Sequence, residues 1–519
     1  MGVTGTALTP ASEAGSGRIA GFWASTALPA TALVPGLDTI SQIIYDVGMV
    51  SAGVATATSA RMSVSEAGAV GDGATDCTAV IQAVIDRAVA AGGATVYVPA
   101  GRYLVGTLTL GSNVCLHLDR GSTLIGSANV EDYPRRIPSL RSYTDNYTCR
   151  SVLYAEQAHD IAIIGGGTID GQGASFLGRP YLERPYLIRF VECERVQVRD
   201  IRLRDSAMWV QHYLGCSDVV LDGLTVTSTA NINNDGSDID SSERVRISNC
   251  DITTEDDAIV LKATARRSCR DVTISNSVLS SDCNAFKIGT ESVGDITDIA
   301  VSNCVVRHAG RSGLALETVD GGTLARVVIT NVVMLDCVGG IFIRLGHRGR
   351  PLEATGTADD HDGSDEGPVN PTGSLRDVLI SNVVGRDNDS IGCSITGLPD
   401  GQIENITLRA VDLSFAGEPN VGARPDELPE LPTSYPEYNM YGPLPAYGLY
   451  CRHVHELKLL DVDLRVSSAD PRPAVWCDDI TVLHIARLSA DVAPGVDLVV
   501  THRCSTESIE SVIRRPSPF

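Results

Sequence analysis

The sequence predicts an all-β protein built as a parallel β-helix, and three observations lead to this fold class. Short apolar runs recur with a spacing close to 27 residues, asparagines recur at one position of the repeat, and aromatic residues make up only 5% of the chain. A repeat of this length is too short for a propeller blade, and it lacks the leucine signature of a leucine-rich repeat. Stacked coils of two or three short strands each would bury one continuous core of aliphatic side chains.

The repeat is clearest in runs of alternating apolar residues that settle into the pattern V-x-I-x-N. Successive runs start 35, 23, 26, 27, 27, 28 and 51 residues apart, at Ile161, Val196, Val219, Val245, Val272, Ile299, Val327 and Val378. Five asparagines each follow a start by four residues: Asn249, Asn276, Asn303, Asn331 and Asn382. Identical amides at one coil position can form a hydrogen-bonded ladder inside a turn, so we expect a structural role for them.

The chain before the repeats is predicted to hold a small module and a helix. Residues 1–62 are rich in Ala, Thr, Ser and Gly, and short β-type runs suggest a small N-terminal β-rich cap or module. From Thr78 to Ala91 the apolar residues have helical spacing, and Gly92-Gly93 is a helix stop. We expect this helix to cap the N-terminal end of a single β-helix domain that spans residues 63–519.

Charge and composition exclude several classes of partner. A net charge of −23 repels phosphate backbones, so no nucleic acid is expected. No apolar run reaches the length of a membrane span, and the N-terminus lacks the pattern of a secretory signal. The fourteen cysteines are scattered without metal-ligand spacing, which favours buried thiols in a reducing compartment. The cytoplasm is therefore the expected location, with secretion left open if a leader has been removed.

The strand that follows each asparagine carries the charged residues. The equivalent positions Ala258, Ala285, Gly313 and Gly340 are 27, 28 and 27 residues apart. Because side chains alternate along a strand, two columns are expected to face outward from the core. One column reads Asp238, Val260, Lys287, Ala315, Phe342, and the other reads Asp240, Lys262, Gly289, Glu317, Arg344.

The same alignment brings carboxylates together. Asp235 is placed beside Asp257, with Asn284 on the next coil and Asp256 in the adjoining turn. Crowded carboxylates raise the pKa of one member, which leaves an acid and a base available together. Two carboxyl groups with room for a water between them are what inverting glycoside hydrolysis needs.

Four segments together resemble glycoside hydrolase family 28, the polygalacturonases and their relatives. They are GAVGDGATDCTAVIQAVID, GGGTIDGQG, NNDGSDID and EDDAIVLK, at residues 68–86, 165–173, 233–240 and 255–262. The resemblance implies a right-handed parallel β-helix (a pectin-lyase-like solenoid) and inverting hydrolysis of a carbohydrate without metal or cofactor. Carried over by position, Asp256 is the general acid, and Asp235 and Asp257 activate the water.

The chain departs from the family pattern where the sugar should be held. The family usually has G-H-G where this chain has Cys283-Asn284-Ala285, and R-I-K where it has Ala315-Leu316-Glu317. The cations that hold a uronate carboxylate are therefore missing, so the substrate is not expected to be plain polygalacturonate. The residues predicted to contact the sugar are Asn284, Lys287, Glu317, Arg344, Lys262 and His347.

Two insertions are placed to close one end of such a site. The first, within residues 345–376, holds the acidic run 359–366, and it is either a passive loop or a lid. The second, at 417–450, is rich in Pro and Tyr, and its rings either stack on sugars or pack the loop onto the body. Such loops favour an exo-acting glycosidase on an oligosaccharide or glycoconjugate. Two alternatives stay open: a β-helix lyase or intramolecular glycosyl transferase, and a non-catalytic carbohydrate-binding β-helix.

Overall fold

A computed structural model describes residues 60–349, 370–401, 403–421 and 428–517. The predicted N-terminal module falls outside these ranges except for residues 60–62, and the acidic run 359–366 falls outside them altogether. Both assignments stay predictions. Within the described ranges no helix is long and apolar enough to cross a membrane.

Strands dominate the described chain. In chain order they are β1 (Arg61–Ser63), β2 (Asp72–Asp76), β3 (Ala94–Val98), β4 (Gly101–Val105), β5 (Leu108–Thr109), β6 (Val114–Leu118), β7 (Ser122–Gly126), β8 (Ser151–Glu156), β9 (His159–Gly165), β10 (Thr168–Asp170), β11 (Tyr186–Val191), β12 (Glu194–Arg199), β13 (Arg202–Arg204), β14 (Gln211–Leu214), β15 (Ser217–Asp222), β16 (Thr225–Ser228) and β17 (Ser237–Asp240). The second half comprises β18 (Glu243–Ser248), β19 (Asp251–Thr254), β20 (Ile259–Ala263), β21 (Cys269–Ser275), β22 (Val278–Ser281), β23 (Phe286–Ser292), β24 (Ile296–Thr318), β25 (Thr323–Leu335), β26 (Cys337–Leu345), β27 (Ser374–Asn388), β28 (Cys393–Thr396), β29 (Glu404–Phe415), β30 (Leu449–Val466), β31 (Val475–Val492), β32 (Val499–His502), β33 (Thr506–Glu510) and β34 (Ile513–Pro516).

The strand pairing confirms the parallel β-helix. Each strand pairs in parallel with the strand one coil away, as in the columns β6–β9–β12–β15–β18–β21 and β14–β17–β20–β23. All eight predicted run starts lie on one register line, from Ile161↔Val196 to Val327↔Val378. The spacing of the runs therefore predicts the correct phase of the repeat.

One inward column shows how the core is built. The side chains on it are aliphatic and each is at most 2% exposed: Val96, Leu116, Ile163, Val198, Leu221, Ile247, Ile274, Val301, Ile329, Ile380, Leu408, Leu459 and Ile485. Each coil alone cannot cover its inward side chains, so stacking on the neighbouring coils supplies the burial.

The asparagine ladder is confirmed for Asn276, Asn303, Asn331 and Asn382, whereas Asn249 Nδ2 donates to Asp222 Oδ1. Asn331 Nδ2 donates to Asn303 Oδ1 at 3.0 Å, and Asn382 Nδ2 donates to Asn331 Oδ1 at 3.1 Å. These residues have φ between +53° and +58°, a left-handed conformation that Asn adopts more readily than most residues. The amides therefore fix the same tight corner on successive coils.

The predicted helix spans Thr78–Ala90 and buries Ile81, Val84, Ile85 and Ala88. It ends before Gly92 and Gly93, both of which have positive φ. The helix packs beside β1, β3, β5 and β6, and its function as a cap of the first coil stays a prediction.

The two columns predicted to face outward do not face solvent. Asp238 and Glu317 are 0% exposed, and Lys287 is 2% exposed. Other parts of the chain cover this wall, including the 3-10 helix Tyr143–Asn146 and the segment 428–441. Alternation predicts the correct register, but it cannot reveal a second layer over the strands.

Candidate active site

The predicted carboxylates and Asn284 lie just before three strands, β17, β20 and β23, which stack on successive coils. Asp235 lies two residues before β17, and Asp257 lies two residues before β20. The backbone N–H of Gly236 donates to Asp257 O, and that of Ala258 donates to Asn284 O. Asp235, Asp257 and Asn284 are therefore rung neighbours, as the repeat predicts.

Asp256 is the half-buried member of the group. Its Oδ1 accepts the backbone N–H of Asp257 at 2.9 Å, and its Oδ2 accepts Asn233 Nδ2 at 3.3 Å. It lines a cavity of about 200 Å³ together with Asp235 and Asp257. The three predicted catalytic residues thus share one cavity.

The environment drives the protonation of two of these carboxyls in opposite directions. Burial raises the pKa of Asp235 well above its usual value, and the neighbouring Asp256 and Asp238 add to the effect. Burial alone would raise the pKa of Asp257 too, but Lys287, Lys262 and two hydrogen bonds from Asn284 hold it below the usual value. Asp235 and Asp257 therefore favour opposite protonation states, although they lie side by side.

Lys262 lies under the group and contacts three carboxylates. Its Nζ is 3.4 Å from Glu291 Oε2, 3.5 Å from Asp238 Oδ1 and 3.8 Å from Asp235 Oδ2. The ammonium also lies 4.4 Å from the centre of the Trp209 ring. This lysine lines the cavity, but carboxylates surround its charge.

Lys287 lies between Asp257 and Glu317. Its Nζ is 3.3 Å from Asp257 Oδ2 and 3.9 Å from Glu317 Oε2. Glu317 accepts a hydrogen bond from Thr290 Oγ1 at 3.1 Å, and burial raises its pKa to about 8. Of the predicted sugar contacts, the structure places Asn284, Lys287 and Glu317 behind the cavity, where they support Asp257 and each other.

Arg344 and His347 are not brought to the cavity. The Arg344 guanidinium donates to Tyr441 OH at 2.6 Å, Gly397 O at 3.0 Å and Glu430 O at 2.8 Å. His347 donates its backbone N–H to Pro432 O at 2.7 Å. Both residues hold the segment 428–441, so their contacts are with the loop and not with the cavity.

Several cavity residues are absent from the sequence prediction. They are Tyr147, Tyr181, Met208, Trp209, Asn233 and Glu291. Tyr435 also lines the cavity, and it belongs to the insertion 417–450, whose rings are predicted either to stack on sugars or to pack the loop onto the body. Tyr147 and Tyr181 come from segments that cover the wall, whereas Trp209 lies one coil before Asp235 at the same register position. Tyr181 and Tyr435 are 44% and 51% exposed, and both rings lie at the cavity.

Glu291 escapes the sequence prediction for a different reason. The register between β20 and β23 pairs Leu261 with Ile288 and then Ala263 with Ser292. One residue on β20 therefore faces three on β23, a bulge of two extra residues. Extrapolation of the repeat across this bulge cannot place Glu291 beside Lys262, although bulges often re-aim side chains near active sites.

Asp256, Asp257 and Cys283 form a group with ligand atoms within 4.8 Å of one another. The carboxylate oxygens of this group already accept hydrogen bonds from the amides of Asn233 and Asn284 and from the backbone N–H of Asp257. The Lys287 ammonium also faces Asp257. We therefore assign no metal to it. Two larger grooves, of about 650 and 730 Å³, lie elsewhere on the surface and contain none of the three aspartates.

Comparison with known proteins agrees with this architecture. The sequence profile of the Glycosyl hydrolases family 28 matches residues 90–359, which is slightly more than half of the chain. A probable polygalacturonase from Vitis vinifera is 26% identical over 427 residues, covering 75% of this chain and 84% of that protein.

Solved structures show the same fold. An exopolygalacturonase from Thermotoga maritima superposes with a TM-score of 0.59 at 19% identity, covering 78% of this chain and 91% of that one. A polygalacturonase from Erwinia carotovora gives 0.52 at 21% identity, covering 68% and 95%. The fold and the profile place the protein among the β-helical glycosidases. The chain belongs to glycosyl hydrolases family 28.

Proposed function

We propose that the chain is an inverting glycoside hydrolase that removes a terminal sugar residue from an oligosaccharide or glycoconjugate. The observation that carries the proposal is the convergence of Asp235, Asp256 and Asp257 on one cavity. Asp256, the least buried of the three, acts as the general acid on the leaving oxygen. Asp257, whose pKa is held low, is the ionised base that takes a proton from the water, and Asp235, whose pKa burial raises, helps to position that water.

The size and borders of the cavity support exo action. A volume of about 200 Å³ is smaller than the roughly 300–1,000 Å³ of typical small-molecule pockets, and it suits a single sugar residue. Tyr147 and Tyr181 line it from the N-terminal coils, and Tyr435 lines it from the segment 428–441. A cleft for internal sites of a polymer would have to continue past both groups.

The substrate is proposed to differ from plain polygalacturonate. The positions where the family usually has cations hold Ala315 and Glu317, and both are 0% exposed. The Vitis vinifera relative is a probable polygalacturonase, but it is only 26% identical to this chain, so its substrate need not be the substrate here. An uncharged sugar needs no cation clamp.

The cytoplasm is the proposed site of action. All fourteen cysteines lie in the described ranges as free thiols, and twelve of them are buried. Free thiols are typical of reducing compartments.

The function is tested with Asp256→Asn against a panel of aryl glycosides, oligosaccharides and polygalacturonate. The wild type is expected to hydrolyse at least one glycoside with inversion, seen as the first-formed anomer by proton NMR. Asp256→Asn should lower kcat by about 10²–10⁴-fold, while the control Asp251→Asn, an exposed aspartate on β19, should retain activity. Full activity in Asp256→Asn refutes the assignment, and an unsaturated product would indicate elimination instead.

A further inference from the structure

Glu291 lines the cavity, but the proposed catalytic mechanism gives it no role. It is 5% exposed, it lines the cavity with the three aspartates, and the bulge in β23 brings it there. Its Oε1 accepts a hydrogen bond from Tyr147 OH at 3.2 Å, and its Oε2 lies 3.4 Å from Lys262 Nζ. The carboxylate is therefore fixed at the cavity wall by groups on both sides.

The two cations that contact Glu291 also contact other carboxylates. Lys262 already faces Asp235 and Asp238. Arg348, which lies 3.8 Å from Glu291, already forms a two-point ion pair with Asp320, with Nε to Oδ1 at 2.8 Å. Arg348 therefore has a carboxylate partner without Glu291, whereas Glu291 is the carboxylate nearest to the Lys262 ammonium, at 3.4 Å.

The charges around the cavity select the kind of ligand. The lining residues include four carboxylates, Asp235, Asp256, Asp257 and Glu291, and one cation, Lys262. A uronate carboxylate would meet an excess of negative charge there. The hydroxyls of an uncharged sugar would instead find an acceptor in Glu291 and a donor in Lys262, with Nζ and Oε2 3.4 Å apart.

We propose that Glu291, together with Lys262, binds two adjacent hydroxyl groups of an uncharged terminal sugar and thereby determines specificity. Glu291 accepts a hydrogen bond from one hydroxyl, and Lys262 donates to the oxygen of the next. The inference rests on the proposed function, because it assigns the sugar that the same cavity takes. Hydrogen bonds to buried charged groups discriminate strongly against analogues that lack the hydroxyl.

The test measures binding without turnover. The Asp256→Asn chain is titrated by isothermal calorimetry with methyl glycosides of galactose, glucose, xylose, rhamnose and galacturonic acid. At least one uncharged glycoside should bind about 10-fold or more tighter than the galacturonide. Adding Glu291→Gln should weaken that glycoside by about 10- to 100-fold, as expected for losing a hydrogen bond to a charged group.

The matched control is Glu243→Gln. It neutralises a carboxylate that pairs with two cations, Arg244 and Arg270, as Glu291 does with Lys262 and Arg348, but that lies outside the cavity. It should leave the affinity unchanged. The deoxy analogue that lacks the hydroxyl bound by Glu291 should bind the parent Asp256→Asn more weakly than the full sugar does, and Glu291→Gln should weaken it little further. The analogue that lacks the hydroxyl bound by Lys262 should lose affinity in both chains. If Glu291→Gln does not fold, Glu291→Asp retains the charge, shortens the reach and should weaken binding similarly.

The inference is overturned if the galacturonide binds best, if none of the glycosides binds, or if the Glu291 variants bind as tightly as the parent. Because calorimetry measures binding alone, a failure of the proposed hydrolysis can be distinguished from a failure of the proposed sugar recognition by Glu291. A wild type that binds an uncharged glycoside through Glu291 but never hydrolyses it refutes the proposed hydrolysis only. Hydrolysis that does not depend on Glu291 refutes only this inference.

Discussion

Lys287 and Asp257 form the ion pair that sets the charge of the candidate base. Lys287 Nζ lies 3.3 Å from Asp257 Oδ2, while Asn284 donates its amide to Oδ1 at 2.8 Å. Both partners are almost completely buried. The lysine therefore acts from behind the cavity, through the carboxylate that it holds ionised.

Replacing Lys287 with Met should move the acidic limb of the kcat/KM profile to higher pH. Lys287 lowers the pKa of Asp257 against the effect of burial, so without it the base loses its charge at a higher pH. The measurement is the pH dependence of kcat/KM on the best glycoside. The control Lys458→Met removes a half-buried lysine that pairs with Glu456 away from the cavity, and its profile should match the wild type. An unmoved limb in Lys287→Met would show that another group is the base.

Asn284 stands where the family usually has histidine, and its replacement should affect both stability and activity. Its amide donates to Asp257, and its Oδ1 accepts the buried backbone N–H of Ser312 at 2.9 Å. Asn284→Ala leaves that N–H without its acceptor, which should lower the free energy of unfolding by about 1–3 kcal/mol. We also expect kcat to fall, because Asp257 is less well held.

Urea unfolding and steady-state kinetics check both effects of Asn284→Ala. The control Asn303→Ala removes an exposed ladder amide that does not line the cavity, so stability should fall but kcat should not. Unchanged stability in Asn284→Ala would contradict a structural role for these two hydrogen bonds.

How far the sequence can predict the site depends on whether a residue follows the repeat. Asp257 and Asn284 are 27 residues apart, and Asp235, 22 residues before Asp257, holds the same position relative to the strand that follows it, so the aligned repeat predicts their rung contacts. Glu291 does not follow the repeat, because the bulge in β23 breaks the count. Periodicity predicts the position and register of the strands. The segments that cover the strands have no periodic pattern, so the sequence does not reveal their contacts.

Arg344 shows that a correctly predicted position does not reveal which groups the side chain contacts. Its predicted position on the wall is correct, opposite Glu317 on the preceding coil. Its predicted role as a sugar contact is not supported, because the segment 428–441 occupies the space in front of it and binds the guanidinium through Tyr441 OH and two carbonyls. A loop remote in sequence decides what a wall residue touches.

Replacing Arg344 with Lys or Met should release that segment. The guanidinium satisfies carbonyls of Glu430, Leu431 and Gly397, and a lysine cannot reproduce its planar set of donors. Both variants should lose about 3 kcal/mol of unfolding free energy and become sensitive to protease within residues 428–441.

Denaturant unfolding and limited proteolysis followed by mass spectrometry test the release. Arg386→Met, which removes a partly exposed ion pair with Asp412, should cost no more than about 1 kcal/mol and leave the segment resistant. Full rescue by Arg344→Lys would argue that only the positive charge matters.

Glu317 should make the fold less stable as the pH rises. Burial raises its pKa from 4.5 to about 8 in the folded chain, although Lys287 opposes the shift. Between these two values the unfolded chain has released the proton and the folded chain still holds it, so raising the pH favours unfolding. The loss should be of the order of a few kcal/mol between about pH 4.5 and about pH 8, and no further loss from this group is expected above that range.

Urea unfolding of Glu317→Gln at a series of pH values measures this loss. Glutamine cannot titrate, so the unfolding free energy of the variant should rise relative to the wild type across the window from about pH 4.5 to about pH 8. The control Glu456→Gln, at a half-buried position, should parallel the wild type. A Glu317→Gln curve that also parallels the wild type would mean that Lys287 keeps Glu317 ionised in the folded protein.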